Sequence, residues 1–193
     1  MFLLIFLLIP ILAAIALFLT KKESSFNAIA ISAGLLSLLG AVYIILNKTD
    51  NFDASWLTIL NSRFLLQADG LSKILILLTA ITFPAIFIAT SKNKIQNKNS
   101  FLGLMLLTQA GLMGVFLAGD ALLFYFFWEL ALIPVYFLCS IWGGEKRVAI
   151  TFKFFIYTFL GSLFMLIGII MVYSNTPDHS FLVESFKHAV LTN

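Results

Sequence analysis

The sequence predicts an all-α integral membrane protein with about six transmembrane helices, and three observations support this fold class. Hydrophobic residues make up 61% of the chain and charged residues only 11%, whereas soluble domains usually carry about 25% charged residues. The apolar residues fall in long runs, each able to cross roughly 30 Å of hydrocarbon as a helix. Lysine and arginine concentrate in alternate connections between these runs, which is typical of chains that cross a membrane repeatedly.

The first apolar run, FLLIFLLIPILAAIALFLT, predicts a helix at 2–20. It differs from a secretory signal because Lys21 and Lys22 follow the run instead of preceding it, and because it is longer than a signal core. We therefore expect a helix that stays in the membrane. Further runs predict helices at 27–46, 71–91, 101–118, 120–140 and 148–173. Together the six form one transmembrane region, 1–174, followed by a polar linker, 175–193, on the outer side.

The distribution of basic residues predicts the orientation of the helices. The first, third and fifth connections hold Lys21, Lys22, Lys92, Lys94, Lys98, Lys146 and Arg147. Basic residues in the other connections are offset by aspartates and a glutamate. Since positive loops stay on the cytoplasmic or matrix side, we expect the N-terminus to lie outside. Asp69 and Asp120 directly precede predicted helices and are expected to cap them.

Several classes of site are excluded by residues that the sequence lacks. A single cysteine, Cys139, excludes an intramolecular disulfide and any multi-cysteine metal or iron–sulfur site. Phosphate loops, dinucleotide-binding glycine patterns and zinc spacings are also absent. We therefore expect no cofactor and no metal in this chain. The net charge is +3, but the basic residues do not cluster with aromatic ones, so the expected environment is a lipid bilayer and not nucleic acid.

Glu129 is the main candidate for a functional residue. It is the one formally charged residue in FYFFWELALIPVYF, 124–137, and lies about 13 Å into the fifth predicted helix, near the membrane midplane. A charge there costs at least roughly 2.5–3.5 kcal/mol, and acids in such places are functional by default. Burial favours the neutral acid and a nearby ammonium group favours the carboxylate, so Glu129 is predicted to carry protons. The alternative is an acid that stays neutral and hydrogen-bonds a neighbouring helix.

Polar residues follow Glu129 along one face of the same helix. Tyr125, Tyr136 and Ser140 share this face at spacings of four, seven and four, and could form a polar track, although packing is the alternative role for the tyrosines. Pro134 cannot donate to the carbonyl of residue 130 and predicts a kink one turn beyond the glutamate. The kink is either functional or an ordinary feature of a membrane helix.

Lys153 is the second candidate, about two turns into the sixth predicted helix. It could pass protons from the cytoplasmic side toward the midplane, with Tyr157 extending a hydrated path. The alternative is a lysine whose ammonium group reaches the interface and has no further role.

The stretch LLFYFFWELALIPVYFLCSIWGGEKRVAITFKFFIYTFLGS, 122–162, resembles the antiporter-like membrane subunits of complex I, the proton-pumping NADH:quinone oxidoreductase. Its WE-xxx-IP-x-Y pattern and the WG that follows are most similar to the subunit M group, which corresponds to mitochondrial subunit 4. DGLSKILILLT, 69–79, is similar to the start of that family's third helix. The resemblance covers 69–173. The same motifs distinguish the chain less clearly from the related component D of multi-subunit sodium/proton antiporters.

The resemblance implies that Glu129 belongs to a proton channel and that Lys153 lies on its cytoplasmic access path. It also implies a partner lysine for Glu129 on a seventh helix, a position that this sequence does not include. Either the sequence is the N-terminal portion of a longer subunit, or a separate polypeptide supplies that lysine.

The function expected from the resemblance is proton translocation by a membrane-arm subunit of complex I, coupled to remote redox chemistry. NADH, FMN, iron–sulfur clusters and quinone are expected elsewhere in the complex, and the partners are other membrane-arm subunits. The expected location is the bacterial inner membrane, with the mitochondrial inner membrane as the alternative. Two other functions remain open: component D of a sodium/proton antiporter, and a structural membrane protein without its own pump.

Overall fold

The computed structural model of the protein describes residues 1–188 and is mainly helical. Six of its helices are long and apolar enough to span a membrane, which confirms the predicted fold class. Their bounds are Phe2–Leu19 (α1), Glu23–Leu46 (α2), Gly70–Thr90 (α3), Lys98–Leu117 (α4), Ala121–Trp142 (α5) and Arg147–Ser174 (α6). The largest difference from the predicted bounds is at α2, which begins at Glu23 instead of at 27.

A β-hairpin occupies the long connection between α2 and α3, where the sequence predicted only a polar stretch. Its strands are Phe52–Leu57 (β1) and Ser62–Leu66 (β2), paired antiparallel. The turn between them includes Asn61, which adopts a left-handed conformation with φ of 51°, as asparagine tolerates better than most residues. An isolated two-stranded hairpin is marginal in water, so this one depends on its contacts with the helices.

Aromatic side chains provide those contacts. The Trp56 ring meets the Phe126 ring edge-on at a centroid distance of 5.6 Å. Phe64 lies 6.2 Å from Phe127 in a similar geometry. The hairpin therefore packs on the first turns of α5, and its position depends on residues far from it in sequence.

The helices differ greatly in how much of their surface the chain itself covers. In the most apolar 18-residue window of α4, 61% of the residues are buried, whereas in that of α6 only 6% are. α4 packs against α1, α3 and α5, and α6 packs mainly against α5. α4 is thus the central helix of the bundle and α6 lies at its periphery.

The two ends of the bundle have different structures. At one end, here called the hairpin end, the hairpin meets the α4–α5 connection through a bond from Gln67 N–H to the Leu117 carbonyl. At the opposite end, the lysine end, the connections 20–22 and 91–97 lie together, since the Asn27 amide donates to the Ser91 carbonyl. Trp142 Nε1 donates to the Gln96 carbonyl and brings the end of α5 to the same side.

The segment predicted as a polar linker, 175–193, lies partly outside the described residues. Its described part contains a short helix, Val183–Phe186 (α7). The Ala121 N–H donates to the Phe181 carbonyl at 2.7 Å, and the Val183 N–H donates to the Gly119 carbonyl at 3.0 Å. These bonds hold the linker at the hairpin end, beside the start of α5.

Candidate functional site

Asp120 determines where α5 begins and therefore how deep Glu129 lies. The Asp120 carboxylate accepts hydrogen bonds from the backbone N–H groups of Leu122 and Leu123, each at 3.0 Å, which confirms the predicted cap. Asp69 caps α3 in the same way, through the Ser72 N–H at 2.7 Å. With α5 starting at Ala121, Glu129 lies about 12 Å along a helix about 33 Å long.

The Glu129 carboxyl group is partly buried and incompletely paired. Its Oε1 atom is inaccessible to solvent and has no hydrogen-bond partner among the described residues. Buried polar atoms nearly always have a partner, and each unpaired one carries a desolvation penalty of about 1–3 kcal/mol. The surrounding chain therefore does not fully hydrogen-bond either the carboxylate or the neutral acid. Such a group is suited to taking up and releasing a proton.

Tyr125 lies one helical turn before Glu129, on the same face of α5. Ser162 belongs to α6 and is 3% exposed, and its hydroxyl donates to the Phe159 carbonyl at 2.8 Å. Tyr136, on the same face of α5, packs against Phe155 of α6, so the Glu129 side of α5 faces α6.

The opposite side of α5 is closed by close contact with α4. A Cβ atom placed on Gly111 would lie 2.7 Å from Ala131 Cα, and one on Gly114 would meet the Phe127 ring at 2.3 Å. Such approach of two helices is typical of small residues at membrane helix interfaces. Gly111 was not identified from the sequence. The contact brings the backbones of α4 and α5 together on the side of α5 opposite Glu129, since Ala131 and Glu129 are about 160° apart around the helix.

The remaining members of the predicted polar track have different surroundings. Tyr136 packs against Phe155 of α6 with ring centroids 5.1 Å apart, so it shares the α6 side with Tyr125. The Ser140 hydroxyl instead donates to the carbonyl of Phe137 in its own helix, at 3.2 Å. Pro134 is buried within α5, which continues through it to Trp142. The kink at Pro134 stays a prediction.

Lys153 and Tyr157 are not brought near Glu129. The two side chains are exposed, Tyr157 by 73%. The buried positions of α6, Thr151 and Ser162, mark the face that packs against the bundle, and at 100° per residue Lys153 falls on the opposite face. Lys153 therefore faces away from the glutamate in the described chain, and its proposed access role stays a prediction.

Gln109 is a polar residue that sequence reasoning missed. It lies on α4, is 0% exposed, and neither atom of its amide group has a partner among the described residues. Two residues before Gly111, it points away from α5, toward the interior of the bundle. The signal was visible, since Gln109 is the one amide side chain in the apolar run 101–118. Among the described residues, no three histidine, cysteine, aspartate or glutamate side chains come together as metal ligands.

Comparison with known proteins supports the resemblance seen in the sequence. Residues 118–190 match the family model described as NADH:quinone oxidoreductase/Mrp antiporter, TM. The chain is 38% identical over 174 residues to F(420)H(2) dehydrogenase subunit M of Methanosarcina mazei, covering 84% of this chain and 34% of the relative. It is 37% identical over 142 residues to NADH-quinone oxidoreductase subunit M of Rhodobacter capsulatus, covering 72% of this chain and 27% of the relative.

A solved structure matches the fold along the whole chain. A chain of respiratory complex I from Thermus thermophilus superimposes with a TM-score of 0.86 and 29% sequence identity, covering 100% of this chain and 40% of that one. The resemblance to complex I membrane subunits is thereby confirmed. The chain spans about a quarter to a third of the length of these curated relatives.

Proposed function

Because residues 118–190 carry the membrane domain named for NADH:quinone oxidoreductase and Mrp antiporters, we propose that the chain is part of a proton-translocating membrane-arm subunit of a complex I-type oxidoreductase. The observation that carries this proposal is the position of Glu129, about 12 Å into α5, with a buried and unpaired carboxyl oxygen. An ionisable group placed there by chance would be costly to insert and would gain nothing.

In this proposal Glu129 holds the transported proton. A cationic side chain from outside residues 1–188 would favour the carboxylate as it approaches and the neutral acid as it withdraws. The α6 side of α5 is where the proton would enter and leave, since contact with α4 closes the other side. The large uncovered surface of α6 offers a place for the rest of the subunit to pack. The lysine end would face the cytoplasm or matrix.

The redox chemistry would take place in other subunits of the complex. The names of the relatives include different electron donors, F(420)H(2) in one and NADH in another. Such variation fits a membrane subunit that responds to electron transfer without binding the donor. NADH, FMN, iron–sulfur clusters and quinone would accordingly belong to partner subunits, and the site at Glu129 would use only side chains and water.

The test is the substitution Glu129→Gln in the assembled complex, reconstituted into sealed vesicles. Removing the titratable proton while keeping the shape should lower the number of protons moved per electron pair, with the complex still assembled. Glu145→Gln is the matched control, because Glu145 is an exposed acid in the α5–α6 connection. Proton movement by Glu129→Gln equal to that of the control would refute the proposal.

Component D of a multi-subunit sodium/proton antiporter is the second candidate, favoured by the family model that covers both kinds of complex. It predicts sodium-driven proton movement in vesicles without any electron donor. A purely structural membrane protein predicts a third outcome: normal transport with Glu129→Gln, but loss of assembly with Gly114→Leu, which would force a large side chain against Phe127.

A further inference from the structure

A large pocket opens at the lysine end, far from Glu129. Its volume is about 860 Å³, and it is formed by the end of α1, the α1–α2 and α3–α4 connections and the starts of α2 and α4. None of its lining residues belongs to α5 or α6. The pocket is therefore separate from the proposed proton site and has no role in that mechanism.

The pocket lining is strongly basic. It contains Lys21, Lys92, Lys94 and Lys98 and a single acid, Glu23, for a net charge of 4 − 1 = +3. The salt bridges within residues 1–188 join Arg63 to Asp53 and Lys187 to Glu184, so the pocket lysines have no carboxylate partner in the described chain. Such an excess of cations in one concavity attracts an anion.

Lys98 also shapes the pocket. Its ammonium group donates to the Ser91 carbonyl at 2.6 Å and to the Asn93 carbonyl at 3.2 Å. These bonds hold the α3–α4 connection over the start of α4, with Lys92 and Lys94 on the pocket wall. The two bonds of Lys98 therefore fix the backbone that carries Lys92 and Lys94.

The first residues of α2 and α4 line the same pocket, and neither helix has a side-chain cap. α2 begins after Lys22 and α4 begins after Asn97, and neither preceding residue caps its helix with a side chain. At the opposite end, Asp69 and Asp120 cap α3 and α5. Uncapped N-termini present free N–H groups and the positive end of the helix dipole, which favour phosphate oxygens.

The other residues that line the pocket favour a lipid over a free anion as its ligand. Phe18, Leu19, Phe26 and Ile95 form an apolar part of the wall, and Leu19 is 76% exposed, so the pocket leads onto the apolar surface of α1. Trp142, at the same end, donates to the Gln96 carbonyl, and tryptophan is typical of the headgroup level of a membrane. Asn27 also lines the pocket, and its amide donates to the Ser91 carbonyl at 3.0 Å, which joins the start of α2 to the α3–α4 connection.

We propose that this pocket binds one anionic phospholipid, with the phosphate between the lysines and the two helix N-termini and the acyl chains along α1. Basic pockets between membrane helices are known to favour such headgroups. Phosphatidylglycerol, whose headgroup charge is the phosphate alone, is the anionic lipid used as the probe.

The experiment measures lipid retention by the purified native complex in detergent, using native mass spectrometry after exposure to phosphatidylglycerol or phosphatidylcholine. We expect the wild type to retain phosphatidylglycerol at least five-fold over phosphatidylcholine. The double variant Lys92→Gln/Lys94→Gln should lose most of this preference. Lys146→Gln/Arg147→Gln removes the same charge at the same end but outside this pocket, and should keep it.

Two further arms make the result decisive. Glu23→Gln removes the one acid in the pocket lining and should raise phosphatidylglycerol retention about two-fold. This variant tests the proposal even if the double lysine variant does not assemble. Inorganic phosphate at millimolar concentration should not displace the lipid. The proposal would be overturned by any of three results. The two double variants could lose phosphatidylglycerol equally, or inorganic phosphate could displace the lipid. The third result is a wild type without lipid preference, together with no gain in phosphatidylglycerol retention in Glu23→Gln.

Discussion

Substitution of Asp120 by alanine should destabilise the protein more than loss of an ordinary helix cap. The Asp120 side chain is 0% exposed and accepts four hydrogen bonds, each at 3.0 Å. The donors are the backbone N–H groups of Leu122, Leu123 and Arg63 and the hydroxyl group of Ser62. The carboxylate thus joins the start of α5 to strand β2. Alanine would leave all four donors without their acceptor.

The magnitude follows from these contacts. Loss of an N-cap costs about 0.5–2 kcal/mol, and a hydrogen bond to a charged group contributes about 1.5–3 kcal/mol. Adding the two hairpin bonds to the cap gives an expected loss of about 3–6 kcal/mol, since such terms are not fully additive. For a chain of this size the midpoint of thermal unfolding should fall by about 2–4 °C per kcal/mol.

Asp69→Ala is the matched control, because Asp69 is also an aspartate N-cap but is exposed and accepts one side-chain hydrogen bond, from Ser72. The assay heats each variant in mild detergent and measures the remaining monodisperse fraction by size-exclusion chromatography. Asp120→Ala should unfold at least 5 °C below Asp69→Ala. Equal midpoints for the two variants would contradict the assignment of Asp120 as the connection between the hairpin and α5.

Two more predictions follow from the same structure. Gly111→Ala should lower the free energy of unfolding by about 1–3 kcal/mol, because the added methyl group would overlap the α5 backbone. Gly161→Ala is the control, since the space around its Cβ position is open. In the same thermal assay it should be neutral or stabilising by up to about 1 kcal/mol. The hydrogen bond from the Ser72 N–H lowers the pKa of Asp69, so its cap is complete above the unfolded pKa near 3.9 and is lost as pH falls through the lower folded pKa. Unfolding midpoints measured below pH 5 should therefore fall more steeply for wild type than for Asp69→Asn, and parallel curves would contradict this.

The six helices could be predicted from the sequence because each is one long apolar run, a local signal that needs no knowledge of neighbours. The caps at Asp69 and Asp120 were also local and were predicted. The hairpin was missed because its strands are short and its packing depends on Phe126 and Phe127, which follow it by more than fifty residues.

The candidate site was predictable only in part, for a similar reason. An acid in an apolar helix is visible in any sequence, so Glu129 could be named at once. Its unpaired oxygen and the close contact at Gly111 depend on how α4, α5 and α6 are rotated about their axes. That rotation also places Lys153 on the outer face of α6, which spacing along one helix could not show.

The bonds between the α4–α5 connection and the residues after α6 have a consequence for the order of assembly. During synthesis Asp120 can accept its bonds from Ser62 and Arg63 of the hairpin as soon as α5 has emerged, since both residues precede it in the chain. The bonds joining Ala121 to Phe181 and Gly119 to Val183 require that α6 has already been inserted and returned to the same side. Completion of the hairpin end therefore requires that both α5 and α6 have crossed the membrane.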